Sequence, residues 1–249
     1  MIKLLKKYLV DSQLFVSVCG TLFAAFFMAE QMSLRAPTVA LVFITYLSGY
    51  LYTKYQQSRH FSKVIVLDIL AGIACAALII HNHNAVRLFK WSIIVVLGLL
   101  YNSFFLHRGI RKVPLLKIFY VGLVWALVNS WLAAAQFDWP AFSVSLLYIT
   151  ALVLPFDIRD VLDDTVVTFP RLIGIQRTKY LAYLLLTGSA LLAIFRLPVD
   201  FATAFCIAVA VSFALVYFAT PKRPALYFSF WVESCSALPF LFLPVIKYF

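Results

Sequence analysis

The sequence predicts an all-α protein: a polytopic transmembrane bundle of about nine helices forming a single domain over residues 1–249. Three observations lead there. The first is composition: 64% of the 249 residues are hydrophobic and only 12% are charged, with a mean hydropathy of +0.95. That apolar share is well beyond what a soluble domain uses. The second is that apolar runs of about 20 residues, the length that crosses a hydrocarbon layer, recur along the whole chain. The third is that Lys and Arg collect in alternate connections, as they do in cytoplasmic loops.

The elements follow in order. Lys3, Lys6 and Lys7 precede span 1, at 13–29. Many spans follow it, which argues against a cleaved signal peptide. Span 2, at 36–53, leads into Lys54, Arg59 and Lys63. Spans 3 and 4, at 64–80 and 88–106, flank a connection that holds Arg87 and two solvated histidines, His81 and His83. Arg108, Arg111, Lys112 and Lys117 introduce span 5, at 115–135. Span 6, at 139–156, is followed by Arg159, Arg171, Arg177 and Lys179. Spans 7, 8 and 9, at 178–195, 201–219 and 225–246, complete the set, with Lys222 and Arg223 between the last two. Sixteen of the 21 Lys and Arg residues thus fall in the N-terminal tail and the connections after even-numbered spans, against Arg35, Arg87, Lys90, Arg196 and Lys247 on the other side. The split predicts a multi-pass protein of the cell membrane with a cytoplasmic N-terminus and an outer C-terminus. The net charge of +11 is read as topology, not as affinity for nucleic acid. Cys19, Cys75, Cys206 and Cys235 are scattered through apolar runs without metal spacing, as small buried residues.

The stretch Pro155–Gly174, PFDIRDVLDDTVVTFPRLIG, carries the densest chemistry. On a helix, Asp157, Asp160 and Asp164 are spaced i, i+3, i+7 and share a face, with Asp163 beside them. Carboxylates so close repel one another and sit badly at the negative end of a helix dipole. A cation should neutralise them. Arg159 and Arg171 can do part of this, and Mg²⁺ can do more, because it takes hard oxygen ligands from carboxylates and phosphates. The plainer alternative is a solvated acidic loop. On the same side, Arg111, Lys112 and Lys117 are suited to phosphate oxygens, although topology alone also accounts for them. Tyr101, near the end of span 4, offers the negative face of its ring to a cationic intermediate, or simply marks the interface. Lys54 can snorkel. Asp68 and Glu233 lie inside spans, where an acid should face the bundle interior or a wet cavity.

These pieces together resemble the UbiA family of membrane-embedded prenyltransferases. Asp157-Ile-Arg-Asp160-Val-Leu-Asp163-Asp164, then Thr168-Phe169-Pro170 and Leu172-Ile173-Gly174, is similar to that family's second aspartate motif and its downstream signature. Arg111-Lys112-Val113-Pro114-Leu115-Leu116-Lys117, leading to Trp125-Ala126, is similar to the start of its fifth helix. The resemblance covers most of the chain and implies a nine-helix bundle. It also implies a prenyl diphosphate, with Mg²⁺ held by Asp157, Asp160 and Asp164, and transfer of the isoprenoid group to a hydrophobic, perhaps aromatic, acceptor. Tyr101 and Tyr50 or Tyr52 would shield the allylic cation. Arg111, Lys112, Lys117 and Arg171 would join the diphosphate.

Two departures accompany it. The family's first aspartate-rich motif falls where this chain reads Tyr46 to Arg59, without a carboxylate, so Lys54 or Arg59 would supply the charge that a metal supplies there. Phe105 stands where the family has Lys after Tyr101. These departures keep a second reading open: a non-catalytic isoprenoid- or lipid-binding membrane protein of the same fold. A small-solute transporter would rest only on Asp68 and Glu233, and no internal repeat supports it.

Overall fold

The computed structural model describes residues 12–101, 113, 115–162 and 166–248, which form helices joined by turns, bends and short irregular links, with no strand among them. In chain order the helices are α1 (Leu14–Glu30), α2 (Ala36–Tyr55), α3 (Phe61–His81), α4 (Ala85–Tyr101), α5 (Leu116–Leu127), α6 (Trp139–Arg159), the short α7 (Phe169–Ile173), α8 (Ile175–Arg196), α9 (Val199–Phe218) and α10 (Leu238–Tyr248). Two π-helical turns interrupt the pattern, Val128–Leu132 directly after α5 and Tyr227–Val232 before α10. Among the described residues five helices, α2, α3, α6, α8 and α9, are long and apolar enough to cross a membrane. The all-α membrane bundle expected from composition is what the chain forms.

The long helices pack as a closed ring in which each touches its successor and α10 returns to α1. The short connections enforce this order, since a short link makes neighbours antiparallel. Helix α6 is the most deeply embedded. Asp138 caps its start, accepting a hydrogen bond from the Ala141 amide at 2.9 Å. From Ala141 to Ile158 most of its residues are buried. Gln31 donates to the same Asp138 from the end of α1, so the α1–α2 and α5–α6 connections lie at one end of the ring. At the opposite end the Leu115 amide donates to the Val167 carbonyl at 3.3 Å, which puts the start of α5 beside the exit of α6.

The two ends of the ring are filled differently. Toward the Asp138 end, Phe23, Phe26, Phe27, Tyr148 and Phe205 are fully buried and interlock, with centroid separations such as 4.9 Å for Tyr148 and Phe205. Such edge-on and tilted aromatic packing closes that half of the interior. The other half carries the polar side chains of the candidate site.

Two expectations need correction. Span 9 is not one continuous helix over 225–246: after the π turn the chain passes through turns at 235–237 and restarts at Leu238. Pro239 occupies the first turn of the new helix, where a proline is well tolerated because its missing N–H has no partner to lose. Helix α6 does not run through Asp164 either. It stops at Arg159, and Asp160 is its C-cap. The helix that carries Asp157 thus ends before Asp164 is reached. Asp163 and Asp164 lie outside the described residues. So do Arg111 and Lys112.

Candidate active site

The end of α6 decides how the acids are presented. The run of β-branched and acidic residues after Arg159 has poor helix propensity, so the helix yields there to a turn at Asp160–Leu162. Arg171, on α7, fastens that turn by donating through Nε to the Val161 carbonyl at 2.7 Å and through a terminal nitrogen to the Leu162 carbonyl at 3.3 Å. These turn carbonyls lie just beyond the helix end, outside its hydrogen-bond ladder, and so need donors of their own. Gly174, with φ of 84°, makes the bend from α7 into α8 that an L side chain resists.

Each described acid of the motif has its own cation. Asp157 is 2% exposed and turned toward α5, where Lys117 Nζ meets its Oδ1 at 2.8 Å. A buried carboxylate requires such a partner. Asp160 is chelated by its neighbour Arg159, Nε to Oδ1 at 2.5 Å and a terminal nitrogen to Oδ2 at 2.7 Å. The same guanidinium lies over two rings, Phe156 at 5.3 Å and Phe228 at 5.7 Å, which holds it against the interior. Beside Asp157 and Lys117 is a small cavity, lined also by Val113, Leu115, Val166, Val167 and Thr168. The Thr168 hydroxyl is buried without a hydrogen-bond partner among the described residues.

An aromatic and polar chain descends from this end into the ring. Trp125 on α5 packs on Tyr46 of α2 at 4.8 Å, and its Nε1 donates to the Tyr50 hydroxyl at 3.1 Å. Tyr46 in turn donates to Asn129 Oδ1 at 3.3 Å, and Asn129 Nδ2 to Ser145 Oγ at 3.1 Å. Tyr101 stacks on Tyr120 at 5.9 Å and is within electrostatic range of Tyr50. Of the two tyrosines expected near a cationic intermediate, Tyr50 turns toward Trp125, whereas Tyr52 turns to Phe61 and Gln56. Glu233 is within electrostatic range of both Arg159 and Tyr50.

Among the expected site residues, the structure joins Lys117 to Asp157. Arg171 serves backbone carbonyls. Arg59 donates through Nε to His60 Nε2 on an exposed turn, and Lys54 sits 5.9 Å from the Tyr55 ring centre. The described residues gather no set of three His, Cys, Asp or Glu side chains. Trp125 and Asn129 had no functional assignment from sequence; the signal available was a Trp and an Asn inside a span, each needing a buried hydrogen-bond partner.

No protein-family model matches the sequence, and no curated protein does. Among solved structures the chain is similar to a digeranylgeranylglyceryl phosphate synthase of membranes, with a TM-score of 0.56 at 16% identity over 100% of this chain and 95% of that one. At that identity the likeness is one of fold, and the chain shares its helical architecture with a membrane prenyltransferase.

Proposed function

We propose that the chain is an integral membrane prenyltransferase of the UbiA type, which binds a prenyl diphosphate at the end of α6 and transfers its isoprenoid group to a hydrophobic acceptor. The observation that carries this reading is the pair of matched charges at one helix end, Lys117 with Asp157 and Arg159 with Asp160, above an aromatic interior. Lys117 and Arg159 would turn to the diphosphate, joined by Arg111, Lys112 and the basic side chains of Lys54 and Arg59. Arg171 keeps the Asp160–Leu162 turn in place. The rings of Tyr50, Trp125 and Tyr101 would face the allylic cation and exclude water from it.

Asp157, Asp160 and Asp164 would hold Mg²⁺, whose preference is for hard carboxylate oxygens. Lys117 and Arg159, the partners of Asp157 and Asp160, would then be taken up by the diphosphate. When bound, Mg²⁺ supplies positive charge against the departing diphosphate.

The same ion pairs favour a second reading. Acids already neutralised by the protein's own cations, with no carboxylate over Tyr46–Arg59, also suit a non-catalytic isoprenoid binder. Titration of farnesyl diphosphate into the protein in nanodiscs separates the two. The enzyme reading expects Mg²⁺ and diphosphate to bind in mutual dependence, each strengthening the other by the same factor, and expects Asp160→Asn to abolish that coupling. Equal affinity with Mg²⁺ and with a chelator, unchanged in Asp160→Asn, would leave the binder.

A further inference from the structure

Thr168 carries a polar group that has no part in the prenyl-transfer scheme. It is the N-cap of α7, a position where a threonine hydroxyl ordinarily accepts from an amide two or three residues on. Here the hydroxyl makes no such bond, and the local sequence explains why. The second residue of the helix is Pro170, which has no N–H. The third, Arg171, donates its amide to the Thr168 carbonyl at 3.1 Å. The hydroxyl is therefore released from capping. It is nonetheless buried: Thr168 is 5% exposed, and its Oγ1 has no hydrogen-bond partner among the described residues. A hydroxyl shut away from water without a partner is destabilising.

The same residue lines the small cavity beside the Lys117–Asp157 pair, and the rest of that lining is valine and leucine. The Leu115 amide, donating to the Val167 carbonyl at 3.3 Å, ties two of its walls together. The cavity measures about 10 Å³, which is room for about one water molecule. The chemistry of the lining agrees with the size. Lys117 Nζ and Asp157 Oδ1, 2.8 Å apart, neutralise each other, so an ion finds no net charge there. What the cavity presents is a hydroxyl, a carboxylate acceptor and an ammonium donor. Water meets all three, because it both donates and accepts.

We propose that a buried water occupies this cavity, accepting from the Thr168 hydroxyl and donating to the Asp157 carboxylate, and that Thr168 acts through it as a positioning residue for Asp157. The positioning role rests on the prenyl-transfer reading above; the water site does not. When Lys117 turns to the diphosphate, Asp157 loses its partner from α5 and keeps the water, which holds the carboxylate in the orientation that Mg²⁺ needs. Hydrogen bonds that orient a metal-binding group commonly govern metal affinity by about tenfold or more.

The test uses the full chain and compares Thr168→Val, which keeps the shape and removes the hydroxyl, with Thr168→Ser, which keeps the hydroxyl. The first readout is the melting temperature in detergent. Thr168→Val should melt about 2–4 °C below wild type through the lost hydrogen bond, and Thr168→Ser should stay closer to wild type. In the Lys117→Met, Asp157→Leu background the apolar pair has nothing for the water to bind, so Thr168→Val should cost no stability there. A Thr168→Val variant that melts at or above wild type marks the hydroxyl as an orphan and overturns the water site. An equal loss in both backgrounds overturns its link to Asp157. Should Thr168→Val not fold, Thr168→Ser and Thr168→Ala carry the comparison, since they differ by the hydroxyl alone; Thr168→Ser is then expected to melt about 2–4 °C above Thr168→Ala.

The second readout is the titration of farnesyl diphosphate in nanodiscs, with Mg²⁺ and with a chelator. Thr168→Val should lower the factor by which Mg²⁺ strengthens binding by about tenfold, and Thr168→Ser should restore it. Affinity in the chelator should stay within about twofold. An unchanged factor overturns the positioning role. Wild type that shows no strengthening by Mg²⁺ overturns the metal-dependent prenyl-transfer reading and the positioning role with it, while the melting temperatures decide the water site on their own.

Discussion

Asp157 and Asp160 stand three positions apart, yet burial gives them different work. The Asp157 side chain is 3% exposed and its partner Lys117 comes from another helix, whereas Asp160 is 29% exposed and paired within its own turn. Removing Lys117 strands a buried carboxylate, so Lys117→Met is expected to cost about 3–5 kcal/mol of stability. Replacing both partners, as in Lys117→Met with Asp157→Leu, should recover most of that loss, because an apolar pair needs no charge compensation. Denaturant unfolding in detergent measures the cycle, and a double variant no more stable than Lys117→Met would show that the pair is not a coupled unit. Asp160→Asn should change stability by less than about 1 kcal/mol, since a half-exposed ion pair contributes little. The need for cations beside these acids was legible from their spacing and from the helix dipole. Which cation serves which acid was not, because the α5–α6 register that brings Lys117 to Asp157 is a property of packing. The chelation of Asp160 by adjacent Arg159 was nearer to hand.

At the scale of elements, α5 and α6 approach closely at Gly122. A Cβ built on Gly122 would meet Thr150 Oγ1 at 2.2 Å and the Leu146 carbonyl oxygen at 3.1 Å. Small residues at such crossings let helix backbones come together in a membrane. Gly122→Ala should push α5 from α6 and disturb the Lys117–Asp157 register, at about 1–3 kcal/mol. Thr150→Ala in the same chain should relieve part of that strain, since the nearer of the two contacts disappears. Gly49, on α2, is the control: nothing lies within 4 Å of its added Cβ, so Gly49→Ala should be neutral or mildly stabilising through helix propensity. Melting temperatures in one detergent compare the three, and a Gly122→Ala variant as stable as Gly49→Ala would remove the close-packing argument. The helices themselves were legible because long apolar runs have one stable form in a bilayer. Their breaks were less so. Pro239 gave a signal for the restart of α10, but the π turns at Val128–Leu132 and Tyr227–Val232 leave no comparable mark on hydropathy.

For the whole molecule, the ring fixes which connections share an end, and the charges decide which end faces the cytoplasm. Lys and Arg at the end of the ring bearing Asp157 outnumber those at the other. The exceptions include side chains that the structure ties down. Lys90 donates to the carbonyls of Trp131, Ala134 and Ala135 at 3.1, 3.2 and 3.0 Å, closing the exit of α5 and its π turn. Arg87 donates to Thr38 Oγ1 at 2.9 Å, and Lys247 lies 4.8 Å from the Phe201 ring centre. Cations spent on such contacts need no cytoplasmic placement, which strengthens the bias of the remainder. The Asp157 end is therefore expected inside the cell, where a soluble diphosphate head group is at hand. Two exposed positions at opposite ends test this after the four native cysteines are replaced: Leu162, 81% exposed, and Met32, 95% exposed. In intact cells an impermeant maleimide should label Met32→Cys and spare Leu162→Cys, and permeabilised cells should label both. Labelling of Leu162→Cys from outside would invert the protein and put its basic end, with the proposed diphosphate site, on the wrong side of the membrane.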